Sequence, residues 1–476
     1  MSVSHDSGAS KNLGVLIFGR KRPGFDQEWN KVTRERSLAT LTRLGFHCIG
    51  ADAPILDDAM IHASMDQILA AKCEALVVIQ PSISDGQFAF TISQRWSGPM
   101  VLWATPERPG DGDVSSCSLV GQNLWASICR QAHFPFEFVY GSAETQDNDL
   151  LQAIALASTV YRLRRSKVGV VGSHAPGFID LAADPFVITQ TFGMQMQSLS
   201  VPQFIDRVGD VAEGAVKEDM AKVAKLGLHY GEAGSEQPAE KVMAVNSRFY
   251  ISMTDLMKEN GLDGLALQCW PDLPNKLGQW PYFAVSRLLA EGQALSIEGD
   301  VDGAISSIIT NYLGFGPGFL TDWLEHDDET IFFLHPGMAP LDMCDEVGGV
   351  CEPTLGAHFN GKTPFVVNGP LKTGEAMTIS RLWKCDGKYH LTAFEGRGIE
   401  PKRKVSGNSL LVEVDGGNVY ARFDDLMHEA MPHHVTLHYG NHAKMFKRLA
   451  RLLSIEWHGQ ICTGKRAAIL YNRLMV

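Results

Sequence analysis

Short apolar runs, each followed by a longer amphipathic stretch, fill the first part of the chain and later give way to strict alternation. This change of period limits the fold more than any other feature. Leu13-Gly14-Val15-Leu16-Ile17-Phe18 reads as a first strand and Phe25 to Leu44 as a helix, with further strands at Ala75–Ile79 and Met100–Trp103. A helix-like segment ends in the basic cluster Arg162-Leu163-Arg164-Arg165-Ser166, and the pattern restarts at Lys167-Val168-Gly169-Val170-Val171-Gly172. A helix over Lys241–Asn260, a strand over Gly264–Leu267 and a helix over Tyr282–Ala290 follow. From about residue 328 the sequence alternates between glycine-rich turns, as in Met377–Trp383 and Leu410–Val414, with a helix over Ala443–Leu453 packed on the strands. The expectation is an α/β chain: two doubly wound α/β domains, residues 12–165 and 166–327, and then an antiparallel β-barrel-like domain, residues 328–476.

At 476 residues the chain exceeds what one ordinary core supports. A net charge of −12 leaves no electrostatic footprint for nucleic acid or anionic lipid. The nine cysteines, an odd number, are scattered without paired short spacings, as in a reduced protein. The polar start, Met1-Ser2-Val3-Ser4-His5, lacks the apolar stretch of a secretory leader, and no apolar run approaches the roughly 18–20 residues of a membrane helix. A cytoplasmic protein with neither a nucleic-acid nor a membrane partner is expected.

Chemistry-bearing residues gather in the second half. Glu298, in Glu298-Gly299-Asp300, precedes an apolar helix-like run, and Asp322 follows at the next break. His335 lies in Leu334-His335-Pro336-Gly337, after what reads as a buried strand. The block Met431 to His442 holds four histidines in a β-like run, where His434 and His438 would share a face opposite His433. Each residue has a bland account. Glu298 and Asp322 suit the first turn of a helix, where an acid complements the dipole, and a lone histidine at a strand end is commonly structural. Together, carboxylates and imidazoles make a cage for a hard divalent cation. Manganese is favoured once nitrogen joins oxygen, with Mg²⁺ or Co²⁺ as substitutes, whereas a structural zinc site would recruit cysteine.

The ordered set of Gly264–Pro271, Glu298-Gly299-Asp300, Asp322-Trp323, Leu334–Pro340 and Pro432-His433-His434 resembles the L-fucose and L-arabinose isomerase superfamily, across residues 12 to 460. The resemblance implies a three-domain subunit in a homo-oligomer, a hexamer or else a trimer or tetramer, with the metal site between the second and third domains. It implies that Glu298 and Asp322 are both metal ligands and the catalytic acid/base pair, with His335 and His434, the latter chosen over His433, completing the cage. Departures from the best-known members point to a different sugar. The Arg20-Lys21-Arg22 cluster at the end of the first strand could bind an anionic tail on C6, as in sulfoquinovose, although a solvated basic turn or a subunit contact is the more ordinary account of it. Arg20, Lys21, Phe178 of the turn-rich loop Ser173–Phe178, Gln268, Trp270 and His433 are the candidate substrate contacts.

Moving a carbonyl from C1 to C2 removes a proton alpha to it and returns one to the neighbouring carbon, so an acid/base pair must flank that edge. A divalent ion would stabilise the cis-enediolate charge. The alternatives are a metal-assisted sugar-acid lyase or epimerase using the same enediolate, and a non-catalytic sugar-binding protein. Gly314-Phe315-Gly316-Pro317-Gly318 lacks the Lys-Ser/Thr of a phosphate loop, so nucleotide binding is disfavoured.

Overall fold

A computed structural model describes residues 10–19, 25–230, 239–345, 352–360, 363–401, 403 and 405–459. The described chain divides into two compact units, one running to Arg165 and taking in Arg451–Ser454, the other comprising Ser166–Ala450 and resuming at Ile455.

In the first unit, strands β1 (Asn12–Ile17), β2 (His47–Ile49), β3 (Leu76–Ile79), β4 (Met100–Ala104) and β5 (Phe136–Tyr140) form a sheet of order β2-β1-β3-β4-β5. Every neighbouring pair is parallel. Leu16, Phe18, Val78 and Leu102 pack on one face, while Val15, Ile17, Val77 and Trp103 pack on the other. Both faces are buried, which is why these strands read as continuous apolar runs rather than alternating ones. The expected first helix is observed as Gln27–Arg43, capped by Asp26, whose side chain accepts from the Trp29 amide.

The second unit repeats the strand–helix pattern on a smaller parallel sheet. Strands β6 (Lys167–Val171), β7 (Gln195–Leu199), β9 (Gly264–Leu267) and β10 (Ala294–Ile297) run in the order β10-β9-β6-β7. The helices expected over Lys241–Asn260 and Tyr282–Ala290 appear as Ala239–Asn260 and Tyr282–Ala290. The short strand β8 (His229–Tyr230) pairs elsewhere, with the later β13 (Thr354–Ala357).

Strand β11 (Phe319–His326) opens a closed barrel with β12 (Thr330–His335), β15 (Ala376–Cys385), β16 (Lys388–Ile399), β17 (Asn408–Val414) and β18 (His434–Tyr439). The ring runs β11-β12-β17-β16-β15-β18 and back to β11, antiparallel at every step. Strands β14 (Pro364–Pro370) and β19 (Glu456–Trp457) add in parallel to β17 and β16. The alternation expected from about residue 328 thus starts at Phe319, and the helical first turn considered for Asp322 is a β-strand instead. A bulge between Trp323 and Glu325 breaks that strand's alternation, leaving a local pattern that resembles a helix start. Among the described residues, no helix is long and apolar enough to cross a membrane.

Candidate metal centre

Two element ends and three barrel strands build the site. Glu298 leaves β10 with a left-handed backbone, φ +59°, an uncommon conformation for a residue with a side chain. Gly299 follows at φ +70°, and Asp300 caps the helix Val301–Tyr312 by accepting from the Gly303 amide at 2.8 Å. This sharp exit turns the Glu298 carboxylate toward the barrel. There β11 lies between β12 and β18, and the register sets Asp322 opposite both Leu334 and His434, one residue from His335. The contact between Asp322 and His434 is therefore fixed by the hydrogen-bond ladder.

His434 is completely buried and committed at one nitrogen. Its Nδ1 lies 2.9 Å from an Asp300 oxygen, and that carboxylate also takes a two-point ion pair from the buried Arg381 guanidinium, at 2.6 and 3.1 Å. With Nδ1 as the donor, Nε2 presents a lone pair 3.3 Å from Glu298 and 3.8 Å from Asp322. Among the described residues, neither His434 Nε2 nor His335 Nδ1 has a hydrogen-bond partner, although both are buried. Trp270 Nε1 donates to the other Glu298 oxygen at 3.0 Å. Ligand atoms from Glu298, His335 and His434 lie within 4.8 Å of one another, as do those from Asp322, His433 and His434. The first group is buried, whereas Asp322 is half-buried and His433 exposed, so the centre has a closed floor and one open side.

The electrostatics ask for positive charge here. Burial pushes the Glu298 pKa up, but His434, its Nε2 3.3 Å away, and the nearby His335 outweigh it and hold the carboxyl at about 2. Burial would lower the His434 value, yet the hydrogen bond with Asp300 and the close Glu298 carboxylate push it up to about 9. Asp300 stays far below the usual carboxylate range, because Arg381 and His434 overcome its burial. Burial pushes His335 down, against the pull of Asp322 and Glu298, which keeps its imidazole neutral and able to donate a lone pair. Carboxylates that stabilise a proton on Nε2 would equally stabilise a cation there, and orphaned imidazole nitrogens beside oxygen donors fit a divalent ion.

The other anticipated residues are placed as follows. Phe178 meets the Trp270 ring edge-on at 5.5 Å and the His433 ring at 4.8 Å, forming an aromatic wall beside the open side. His433 precedes β18, and its Nδ1 lies 2.6 Å from an Asp180 oxygen. Gln268 is half-buried, and its side-chain oxygen accepts from the Ser173 amide at 3.0 Å, which holds the loop that carries Phe178. Arg20 and Lys21 lie outside the described residues. Sequence reading passed over Asp300 and Arg381, although Asp300 stands inside the Glu-Gly-Asp segment. It also passed over Tyr282, whose ring centroid lies 6.0 Å from that of His335, and His358, stacked on Trp280 at 4.3 Å and 6.0 Å from Tyr282. An acid directly before an apolar helix was the available signal for Asp300, whereas Arg381 gave none.

Residues 183–315, which include Glu298, match the L-arabinose isomerase central domain family. A protein from Priestia aryabhattai named sulfoquinovose isomerase is 25% identical over 453 residues, covering 94% of this chain and 99% of that protein. Proteins of the same name from Alkalicoccus urumqiensis and Clostridium sp. (strain MSTE9) are each 26% identical, covering 82% and 91% of this chain and 86% and 96% of theirs.

Proposed function

The chain belongs to the L-fucose and L-arabinose isomerase superfamily of sugar isomerases, and on that premise we propose that it is a divalent-metal-dependent aldose–ketose isomerase. One observation carries the reading: His434, locked at Nδ1 by Asp300, turns an unpartnered Nε2 toward Glu298 and Asp322. Glu298, Asp322, His434 and His335 would hold the ion, Mn²⁺ by the mixture of oxygen and nitrogen donors, with Mg²⁺ or Co²⁺ as substitutes. When bound, it supplies Lewis-acid stabilisation of the negative charge on the sugar's O1 and O2.

The chain's own residues carry the proton. One carboxylate of the pair Glu298 and Asp322 takes the C2 proton of the aldose, and a proton returns at C1, so the carbonyl moves through a cis-enediolate without a redox cofactor. Trp270 fixes the Glu298 carboxylate by its indole N–H, and the buried floor excludes water from that side. Asp322, half-buried, faces the open side from which the sugar enters. Phe178 and His433 flank that side and would contact the sugar.

The relatives' name supports sulfoquinovose, a sugar with a sulfonate at C6, over L-fucose-like or L-arabinose-like sugars. Work in the cytoplasm as a homo-oligomer, a hexamer by the superfamily's habit, completes the proposal. The test is an NMR assay in D₂O of Mn²⁺-loaded protein against sulfoquinovose, L-fucose, L-arabinose and D-arabinose. The expected result is one aldose converted to its ketose with deuterium at C2 of the recovered aldose. No conversion of any aldose, or a product with fewer carbons, would overturn it.

A further inference from the structure

Away from the candidate metal centre, two more histidines and an acid meet beside strands β16 and β19. His390 lies in β16, His458 follows β19, and Glu429 ends the helix Val419–His428. Each offers a ligand atom, and these atoms all lie within 4.8 Å of one another. We propose that His390, His458 and Glu429 form a second divalent-metal site, of the class that takes Zn²⁺.

The scaffold around the three is firm. Trp383 pairs with His390 across β15 and β16, stacks on its ring at 5.4 Å, and lies 5.3 Å from the His458 ring. The same indole N–H donates to the Glu429 carbonyl at 2.8 Å, which ties the helix end to this wall. His458 is fastened twice, its amide donating to the Leu391 carbonyl at 2.9 Å and its carbonyl accepting from Thr392 at 2.6 Å. The two imidazoles are nearly parallel, at 14°, and His390 Nδ1 and His458 Nε2 share a hydrogen bond at 2.8 Å, which a bound ion would replace. Two ligand nitrogens about 2.0–2.1 Å from one tetrahedral ion would stand about 3.3 Å apart, so the rings would have to part by roughly half an ångström.

The donor set separates this site from the first. Two imidazoles and one carboxylate suit a borderline-soft ion that accepts nitrogen, and a fourth position would fall to water. Bound there, the ion would join strand β19, strand β16 and the end of the Val419–His428 helix, which are far apart in sequence. Its contribution would be to the stability of the folded chain. The site does not depend on the isomerase reading.

The test uses the full-length chain stripped of metal and titrated with Zn²⁺ by calorimetry, with Co²⁺ visible absorption as a second readout. Glu298→Gln/Asp322→Asn is expected to keep one Zn²⁺ equivalent and to gain thermal stability on binding it. Adding His458→Gln, or separately the exposed Glu429→Gln, should lose at least the roughly 10–100-fold in affinity that removing even an outer partner of a ligand costs. The tetrahedral Co²⁺ band should disappear with it. In the otherwise unaltered protein, His458→Gln should leave the isomerase rate unchanged. Zn²⁺ binding and the Co²⁺ spectrum unaffected by both added substitutions would overturn the proposal.

Discussion

At Gly299 a Cβ would lie 1.9 Å from the Ser173 carbonyl oxygen, and φ is +70°. Gly299→Ala should therefore destabilise the fold by at least about 1–3 kcal/mol, read by denaturant titration, because both the backbone conformation and the space exclude a side chain. Asp300 is more consequential, since it stands between Arg381 and His434 and is wholly buried. Asp300→Asn leaves the guanidinium without its counter-charge, with an expected loss of about 3–5 kcal/mol. It also frees His434 to rotate or change tautomer, so metal affinity should fall roughly 10–100-fold in a titration of whatever protein folds. Glu298→Gln and Asp322→Asn carry a different expectation, as neither is a structural keystone. Each should lower turnover roughly 10²–10⁴-fold while the circular dichroism spectrum stays that of the parent. A near-parental rate in either variant would remove the acid/base assignment.

At the scale of elements, the strand ladders set the chemistry. His434 and Asp322 meet because β11 and β18 are paired in one register, and a shift of either strand by one residue would leave the two side chains on opposite faces. The first unit offers a test in the loop after β4. There the Glu107 carboxylate accepts from the amides of Ser115, Ser116 and Cys117 and from both serine hydroxyls. Burial pushes its pKa up, but the Ser115 and Ser116 hydrogen bonds hold it at about 2, below the ordinary 4.5. A depressed folded value means that this stabilisation is present above the ordinary pKa and is lost as pH falls from about 4.5 toward 2. Glu107→Gln should thus cost about 1 kcal/mol at neutral pH, discounted for solvent screening because the residue is exposed. The difference from the parent should vanish in strong acid, as followed by urea melts across pH.

For the whole molecule, metal binding and folding are linked, since the centre joins the end of β10 to three barrel strands. Ion present at a hundred times its dissociation constant should add about 2.7 kcal/mol to stability. Chelation should therefore lower the melting temperature and abolish turnover together, and Mn²⁺ should restore both. The broad architecture was legible in the sequence because burial leaves a periodic trace. Unbroken apolar runs marked the doubly covered sheets, and alternation marked a barrel filled on one side, so the helices at Tyr282–Ala290 and Ala443–Leu453 could be delimited to the residue. The resemblance singled out Glu298, Asp322, His335 and His434 because ordered motifs survive in one dimension. It could not show that Asp322 sits within a strand, since a bulge disguised the period. Nor could it show that Asp300 and Arg381 orient His434. Those relations are distances between residues remote in sequence, decided only when barrel closure fixed one register and buried a charge that had to find its partner.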